Sequence, residues 1–123
     1  MLVIEDRPSI GMVFDLALTE EGHKVEVVSD GSSGLKILQG EAKTDLVILD
    51  LNMPGISGRE VVEIMRSENE LLRNIPVIIV SGSVPSPDIM PPEGSYQAFI
   101  GKPFDLNEVI ETVDWLTTAE AAC

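Results

Sequence analysis

The sequence contains one cysteine, few basic residues and no long hydrophobic run. The cysteine, Cys123, has no partner for an internal disulfide, which is typical of a protein from a reducing compartment, so we expect a cytoplasmic location. No apolar stretch is long enough to span a membrane, and no basic segment precedes an apolar one as in a signal peptide. The chain is therefore not expected to insert into a membrane.

Basic side chains are scarce, with 8 Lys and Arg against 21 Asp and Glu and a formal net charge of −13. A nucleic-acid interface needs a basic patch that faces the phosphates, so we expect no nucleic-acid binding through this domain. The excess of carboxylates instead favours a cation site or a partner with a basic face. A length of 123 residues, 44% of them hydrophobic, predicts one globular domain over 1–123.

The most informative stretch is 45–55, with the sequence DLVILDLNMPG. A short apolar run bounded by an aspartate and by a Pro-Gly turn is typical of a strand that is buried on both faces. Asp50 lies at the end of this strand. In open parallel α/β sheets, ligands bind at the carboxyl ends of the strands, so Asp50 is a candidate functional residue.

Other apolar segments alternate between the periodicities of strands and helices. Strands are also predicted at Met1–Ile4, Lys24–Ser29, Val77–Val80 and Ala98–Ile100. Strands that alternate with helices at this spacing predict a parallel sheet built from right-handed βαβ crossovers.

Capping residues and glycines mark the predicted helices. They begin at Arg7-Pro8-Ser9, at Asp30, at Ser57-Gly58 and at a cap on Asp105 or Asn107, and the first two end near Gly22 and Gly40. The side chains expected to face the core are Ile10, Val13, Phe14, Ala17, Leu18, Leu35, Ile37, Leu38, Val61, Val62, Ile64, Met65, Val109, Ile110, Val113 and Leu116. Trp115 is expected in the core or at an interface, and His23 in a solvated loop without a metal or catalytic role.

The segment Ser83–Gln97 interrupts this alternation. It contains four prolines and Gly94, and an interior proline costs a helix about 3 kcal/mol. A fourth helix of normal length is therefore not expected there, and at most one turn fits around Asp88 to Met90. We expect few hydrogen bonds to hold the segment, and its apolar residues to cover the sheet edge or to meet a partner.

Polar side chains end four of the predicted strands. They are Glu5 and Asp6, Asp50, Ser81 and Lys102. Converging carboxylates need a cation or raised pKa values, and Mg²⁺ is a hard cation that takes carboxylate oxygens. Asp50 beside such a metal is the arrangement in which an aspartyl phosphate forms, with Lys102 and Ser81 available for phosphoryl oxygens.

The whole chain resembles a response regulator receiver domain of bacterial two-component signalling, similar to the single-domain chemotaxis regulator. Each matching motif is weak alone, and their order and spacing carry the resemblance. The motifs are Glu5-Asp6, the segment 50–55 with Gly58, Ser81-Gly82 and Lys102-Pro103-Phe104.

The resemblance implies that Asp50 accepts a phosphoryl group from the phosphohistidine of a sensor histidine kinase or a histidine phosphotransfer protein. It implies that Ser81 and Lys102 contact that group, and that the signal passes to a downstream output protein or domain. The implied Mg²⁺ ligands are Glu5, Asp6, Asp50 and the backbone carbonyl of Asn52.

The implied fold is a flavodoxin-like, doubly wound, five-stranded parallel sheet in the order 2-1-3-4-5, with helices on both faces. The peptide bond before Pro103 is expected to be cis. A phosphoryl group on Asp50 would draw Ser81 inward and free space for the switch aromatic, which is Phe99 here where the family commonly has Tyr. Phe99 has no hydroxyl to donate, but it can still pack.

The irregular fourth helix is a further departure, because in relatives helix 4, strand 5 and helix 5 form the output and dimer face. We therefore predict that Ser83–Gln97 is the recognition surface that phosphorylation reorganises. A lone regulator, a receiver of a hybrid kinase and a phosphorelay shuttle all fit the sequence.

Two other functions are alternatives. A phosphatase-type hydrolase with an aspartyl nucleophile wants a second Asp two residues later as general acid, and this chain has Asn52 there. A degenerate receiver that serves only for docking would not need the acidic pair, Asp50, Ser81 and Lys102. We therefore expect a signalling domain without turnover of an external substrate.

Overall fold

The computed structural model describes residues 1–40, 44–51, 53, 55–68, 70–82, 89–92 and 94–122. Strands and helices alternate along them. In chain order they are β1 (Leu2–Ile4), α1 (Pro8–Glu20), β2 (Glu26–Val28), α2 (Gly31–Leu38), β3 (Val47–Leu49), α3 (Gly58–Glu68), α4 (Glu70–Arg73), β4 (Val77–Ser81), β5 (Ala98–Gly101) and α5 (Leu106–Ala122).

The strands form one five-stranded sheet in the order β2-β1-β3-β4-β5, and every pair is parallel. The register aligns Leu2 with Val47 and Val47 with Val77. The predicted order and direction of the strands are thus confirmed. Because the strands are parallel, their carboxyl ends all lie at one edge of the sheet.

Successive residues of each strand point to opposite faces of the sheet, so they contribute to two separate hydrophobic cores, one on each face. One face is covered by α2, α3 and α4, and the other by α1 and α5. The strands β1, β3 and β4 are buried along their whole length. This explains why their sequences are continuously apolar, as expected for parallel strands that are covered on both faces.

Side-chain caps define three helix starts. Asp30 Oδ1 accepts a hydrogen bond from the backbone N–H of Ser33 at 2.7 Å, as predicted for α2. At α3, the Glu60 N–H donates to Ser57 Oγ at 3.3 Å, and the Ser57 hydroxyl donates to Glu60 Oε1 at 3.3 Å. Of the two caps considered for α5, the structure uses Asp105, whose Oδ1 accepts from the Asn107 N–H at 2.9 Å.

Two residues, Val13 and His23, lie elsewhere than predicted. Val13 is 41% exposed, because the buried stripe of α1 runs through Gly11, Phe14 and Leu18 and leaves Val13 on its flank. Trp115 is 66% exposed, since its neighbours Val113 and Leu116 take the core-facing positions of α5, so of its two predicted places only the interface stays a prediction. His23 is partly buried rather than solvated, and its Nε2 lies 3.6 Å from Asp114 Oδ1.

The connection between β4 and β5 lacks a regular helix in its described residues, 89–92 and 94–97, which agrees with the prediction. Residues 83–88 and 93 lie outside the described residues, and with them Val84 and Asp88, the first residue of the turn considered at Asp88 to Met90. Ile89 and Met90 pack against the core on the α3 face. The short helix α4 precedes β4 instead of following it.

The end of this connection is held by Arg66 of α3. Its Nε donates to the carbonyl of Ser95 at 2.8 Å, while Nη1 donates to three carbonyls at the end of α4 and beyond it, those of Leu72, Arg73 and Ile75. Gln97 Oε1 accepts from the Val77 N–H at 2.7 Å. The expected scarcity of hydrogen bonds is therefore wrong for residues 95–97.

Among the described residues, no helix combines the length and apolar character that crossing a membrane requires.

Gly58 joins the start of α3 to the end of β3, and we expect Gly58→Ala to destabilise the protein. A Cβ at this buried position would overlap the carbonyl oxygen of Asp50 and lie 2.8 Å from Leu51 Cα, so backbone would have to move. The free energy of unfolding, measured by urea denaturation, should fall by about 1–3 kcal/mol. Gly40→Ala is the control, because its Cβ would lie 3.4 Å from the carbonyl oxygen of Ile37, an ordinary contact. Equal stability of both variants would contradict this account.

Candidate functional site

Four strands deliver polar residues to the carboxyl edge of the sheet. Glu5 follows β1, Asp50 follows β3, Ser81 ends β4 and Lys102 follows β5. The parallel register brings these positions together although they are far apart in sequence. The backbone N–H of Lys102 also donates to the carbonyl of Ser81 at 2.9 Å, which fixes the end of β5 against β4.

The Lys102 ammonium bridges two buried carboxylates. Its Nζ lies 3.3 Å from Glu5 Oε1, 3.1 Å from Glu5 Oε2 and 3.1 Å from Asp50 Oδ2. Glu5 is 3% exposed and Asp50 5% exposed, and the Lys102 side chain is 15% exposed. At this degree of burial the ammonium and the two carboxylates stabilise one another, because an isolated buried charge is strongly unfavourable.

Three carboxylates are placed to share a cation. Glu5, Asp6 and Asp50 each offer an oxygen, and these oxygens all lie within 4.8 Å of one another. Hard oxygen donors at this spacing suit a small divalent cation. The fourth predicted ligand, the backbone carbonyl of Asn52, lies outside the described residues.

Burial raises the pKa of Glu5, and the nearby negative charge of Asp50 raises it further. The hydrogen bonds and the positive charge of Lys102, and the N–H of Arg7 at 3.2 Å, oppose these effects without cancelling them. Ionised Glu5 is therefore held in the folded protein at a cost in free energy.

A cleft of about 310 Å³ opens above Asp50, lined by Asp6, Arg7, Asp50, Gly82 and Lys102. Its floor is acidic and two cations reach it, an arrangement that can bind a metal ion together with an anionic group. Ser81 is buried, and the lining of the cleft includes its neighbour Gly82 instead.

Phe99 lies on β5 opposite Ile79 and is partly buried. Its ring packs against the core on the α3 face, to which Ile89 and Met90 also contribute. The peptide bond between Lys102 and Pro103 is cis, so this expectation is confirmed.

Sequence reasoning missed Arg7 as part of the site. The sequence marks it only as the residue before the first turn of α1, yet it lines the cleft over Asp50. The available signal was its position directly after the acidic pair at the end of β1, which places it at the same edge of the sheet.

Comparison with known proteins gives consistent results. The family profile described as "Response regulator receiver domain" matches residues 1–114. The transcriptional regulatory protein TcrA of Mycobacterium tuberculosis is 34% identical over 110 residues, which cover 89% of this chain and 42% of TcrA. The chain spans less than half the length of the curated relatives that it matches first.

Solved structures show the same similarity. The receiver domain of the Francisella response regulator 1452 superposes with a TM-score of 0.85 at 25% identity, covering 97% of this chain and 96% of that one. The response regulator TrrA of Thermotoga maritima, solved in complex with Mg²⁺-BeF, superposes with a TM-score of 0.77 at 30% identity, covering 94% of this chain and 96% of that one.

The raised pKa of Glu5 predicts how stability depends on pH in metal-free buffer. Below the ordinary glutamate value of 4.5 the carboxyl is protonated in both folded and unfolded chains. As pH rises through the higher folded-state pKa, wild type loses the stability that protonation of Glu5 contributes. The free energy of unfolding of Glu5→Gln, measured by urea denaturation with EDTA, should therefore increase relative to wild type as pH rises from 4.5.

Glu111→Gln, which removes an exposed carboxylate of α5, is the matched control and should follow the wild-type curve. A difference between Glu5→Gln and wild type that stays constant with pH would contradict the assigned electrostatics.

Proposed function

The chain belongs to the response regulator receiver domain family, and on that basis we propose that Asp50 is the phosphoacceptor of this domain. The observation that carries the proposal is the Lys102 ammonium 3.1 Å from Asp50 Oδ2, at a position where the carboxylates of Glu5 and Asp6 also lie close to Asp50. A nucleophilic carboxylate, a cation beside it and ligands for a metal are what phosphoryl transfer to an aspartate requires.

In the proposed reaction, an Asp50 oxygen forms a bond to phosphorus. The P–N bond to the donor histidine breaks, and the imidazole leaves with the electron pair and is protonated. Lys102 lies against Asp50 and is placed to contact a phosphoryl oxygen once the group has been transferred. Asp50 is 5% exposed, so only a small part of its carboxylate is open to bulk water.

Mg²⁺ is the proposed metal, held by Glu5, Asp6 and Asp50 with the carbonyl of Asn52. When bound, it would supply positive charge to a phosphoryl oxygen, as hard cations do in phosphoryl transfer. Support comes from the close spacing of the three carboxylates and from the Mg²⁺-BeF complex of the similar protein TrrA.

The phosphodonor is proposed to be a sensor histidine kinase or a histidine phosphotransfer protein, and the signal is proposed to pass to an output protein or domain. The relative TcrA is named a transcriptional regulatory protein, and this chain matches 42% of its length. We propose that the domain signals by switching and does not turn over an external substrate. Ser81 would move toward the phosphoryl group, and the partly buried Phe99 would repack in response.

Asp50→Asn is expected to abolish phosphorylation, because an amide cannot act as the carboxylate nucleophile. The measurement is incorporation of acid-labile phosphate from a small phosphodonor with Mg²⁺, read by mass spectrometry. Asp15→Asn, an exposed carboxylate of α1, is the matched control and should be phosphorylated like wild type. Phosphate retained on Asp50→Asn would refute the assignment, and steady hydrolysis of a phosphomonoester by wild type would favour a hydrolase instead.

Beryllofluoride with Mg²⁺ is expected to change hydrogen exchange at the backbone amides of Ile89 and Met90 in the β4–β5 connection, where Pro91 and Pro92 carry no amide hydrogen. The Gln97 amide, which donates to the Val77 carbonyl at 2.9 Å, should stay protected because its surroundings are held by Arg66. Exchange would be followed by mass spectrometry on peptides covering 89–97. Exchange that is unchanged by the phosphoryl mimic would show that the recognition surface lies elsewhere.

A further inference from the structure

Arg7 is the cation at the rim of the cleft, and the mechanism above gives it no role. Among the described side chains that line the cleft, Arg7 and Lys102 are the basic ones. The Lys102 ammonium is already shared between Glu5 and Asp50, whereas Arg7 is exposed. Arg7 is therefore the basic group that an approaching ligand meets first.

The backbone of Arg7 is fixed while its side chain is not engaged. Its N–H donates to Glu5 Oε1 at 3.2 Å, and its carbonyl accepts from the N–H groups of Ile10 at 3.1 Å and Gly11 at 3.0 Å. Within the part of the chain that the structure describes, the guanidinium has no hydrogen bond or ion pair. The backbone of Arg7 is thus held at the rim, and its guanidinium is available to a ligand.

Arg7 also borders a second hollow. This hollow has a volume of about 470 Å³ and is lined by Arg7, Ile10, Lys102, Pro103 and Phe104. Arg7 and Lys102 are common to both linings, so the cleft and the hollow adjoin at these two residues. A group that leaves the phosphorus on the solvent side of the cleft passes this position.

We propose that Arg7 contacts the leaving group of the phosphodonor and favours donors whose leaving group departs as an anion, namely acyl phosphates. This proposal rests on Asp50 as the phosphoacceptor. Attacking and leaving groups lie roughly in line in phosphoryl transfer, so the leaving group lies opposite Asp50, toward the exposed rim. A guanidinium there stabilises negative charge that develops on a carboxylate leaving group.

Two small phosphodonors distinguish a contact between Arg7 and the leaving group from a general effect of Arg7 on the site. With acetyl phosphate, the Asp50 oxygen bonds to phosphorus, the P–O bond to the acetyl group breaks, and acetate leaves with the electron pair as an anion. With phosphoramidate, whose nitrogen carries its proton in neutral water, the P–N bond breaks and neutral ammonia leaves with the electron pair. Arg7 assists the first leaving group and not the second.

The test compares phosphorylation rates of wild type, Arg7→Gln, Arg7→Lys and Arg73→Gln with each donor at saturating Mg²⁺. Arg73 is an exposed arginine at the end of α4, toward the opposite edge of the sheet, so Arg73→Gln makes the same charge change away from the cleft. Thermal unfolding of each variant checks that the fold is intact.

Arg7→Gln should lower the acetyl phosphate rate roughly two- to fivefold, the size of one exposed ionic contact, and leave the phosphoramidate rate unchanged or higher. Arg7→Lys should restore part of the difference, added salt should shrink it, and Arg73→Gln should match wild type.

An equal loss with both donors, or no loss with acetyl phosphate, would overturn the role of Arg7. Failure of both donors to phosphorylate wild type would overturn the assignment of Asp50, and the role of Arg7 with it.

Discussion

The acidic edge of the sheet depends on one ammonium group. Glu5 and Asp50 are both nearly inaccessible to water, and two buried carboxylates side by side would repel each other. Lys102 reaches both of them, and its own backbone N–H is tied to the carbonyl of Ser81. The ion pairs therefore also connect the ends of β1, β3 and β5, so that the chemistry of the cleft and the geometry of the sheet edge rest on the same contacts.

Much of this arrangement could be predicted from the sequence, because parallel strands impose two simple rules. A strand buried on both faces must be continuously apolar, which revealed β3 and β4. The carboxyl ends of all strands meet at one edge, which is enough to predict that Glu5, Asp50 and Lys102 lie together. The capping residue Asp30 was equally clear, since its carboxylate has one obvious partner in the next turn.

The features that sequence reasoning missed are those set by tertiary contacts. Helical spacing does not say how wide the buried stripe of α1 is, so Val13 was placed in the core although it lies on the flank. The role of Arg66 could not be predicted from the sequence, because it binds backbone carbonyl groups, which every residue carries. Arg7 was overlooked for a similar reason, since its place beside the cleft depends on how the chain turns between β1 and α1.

Arg66 binds the carbonyl of Ser95 at the end of the β4–β5 connection. The start of β5 therefore has a fixed point of its own just before the strand begins, apart from the earlier residues of the connection. A connection that is fixed at its exit can be exchanged, lengthened or shortened while the reactive edge stays in place.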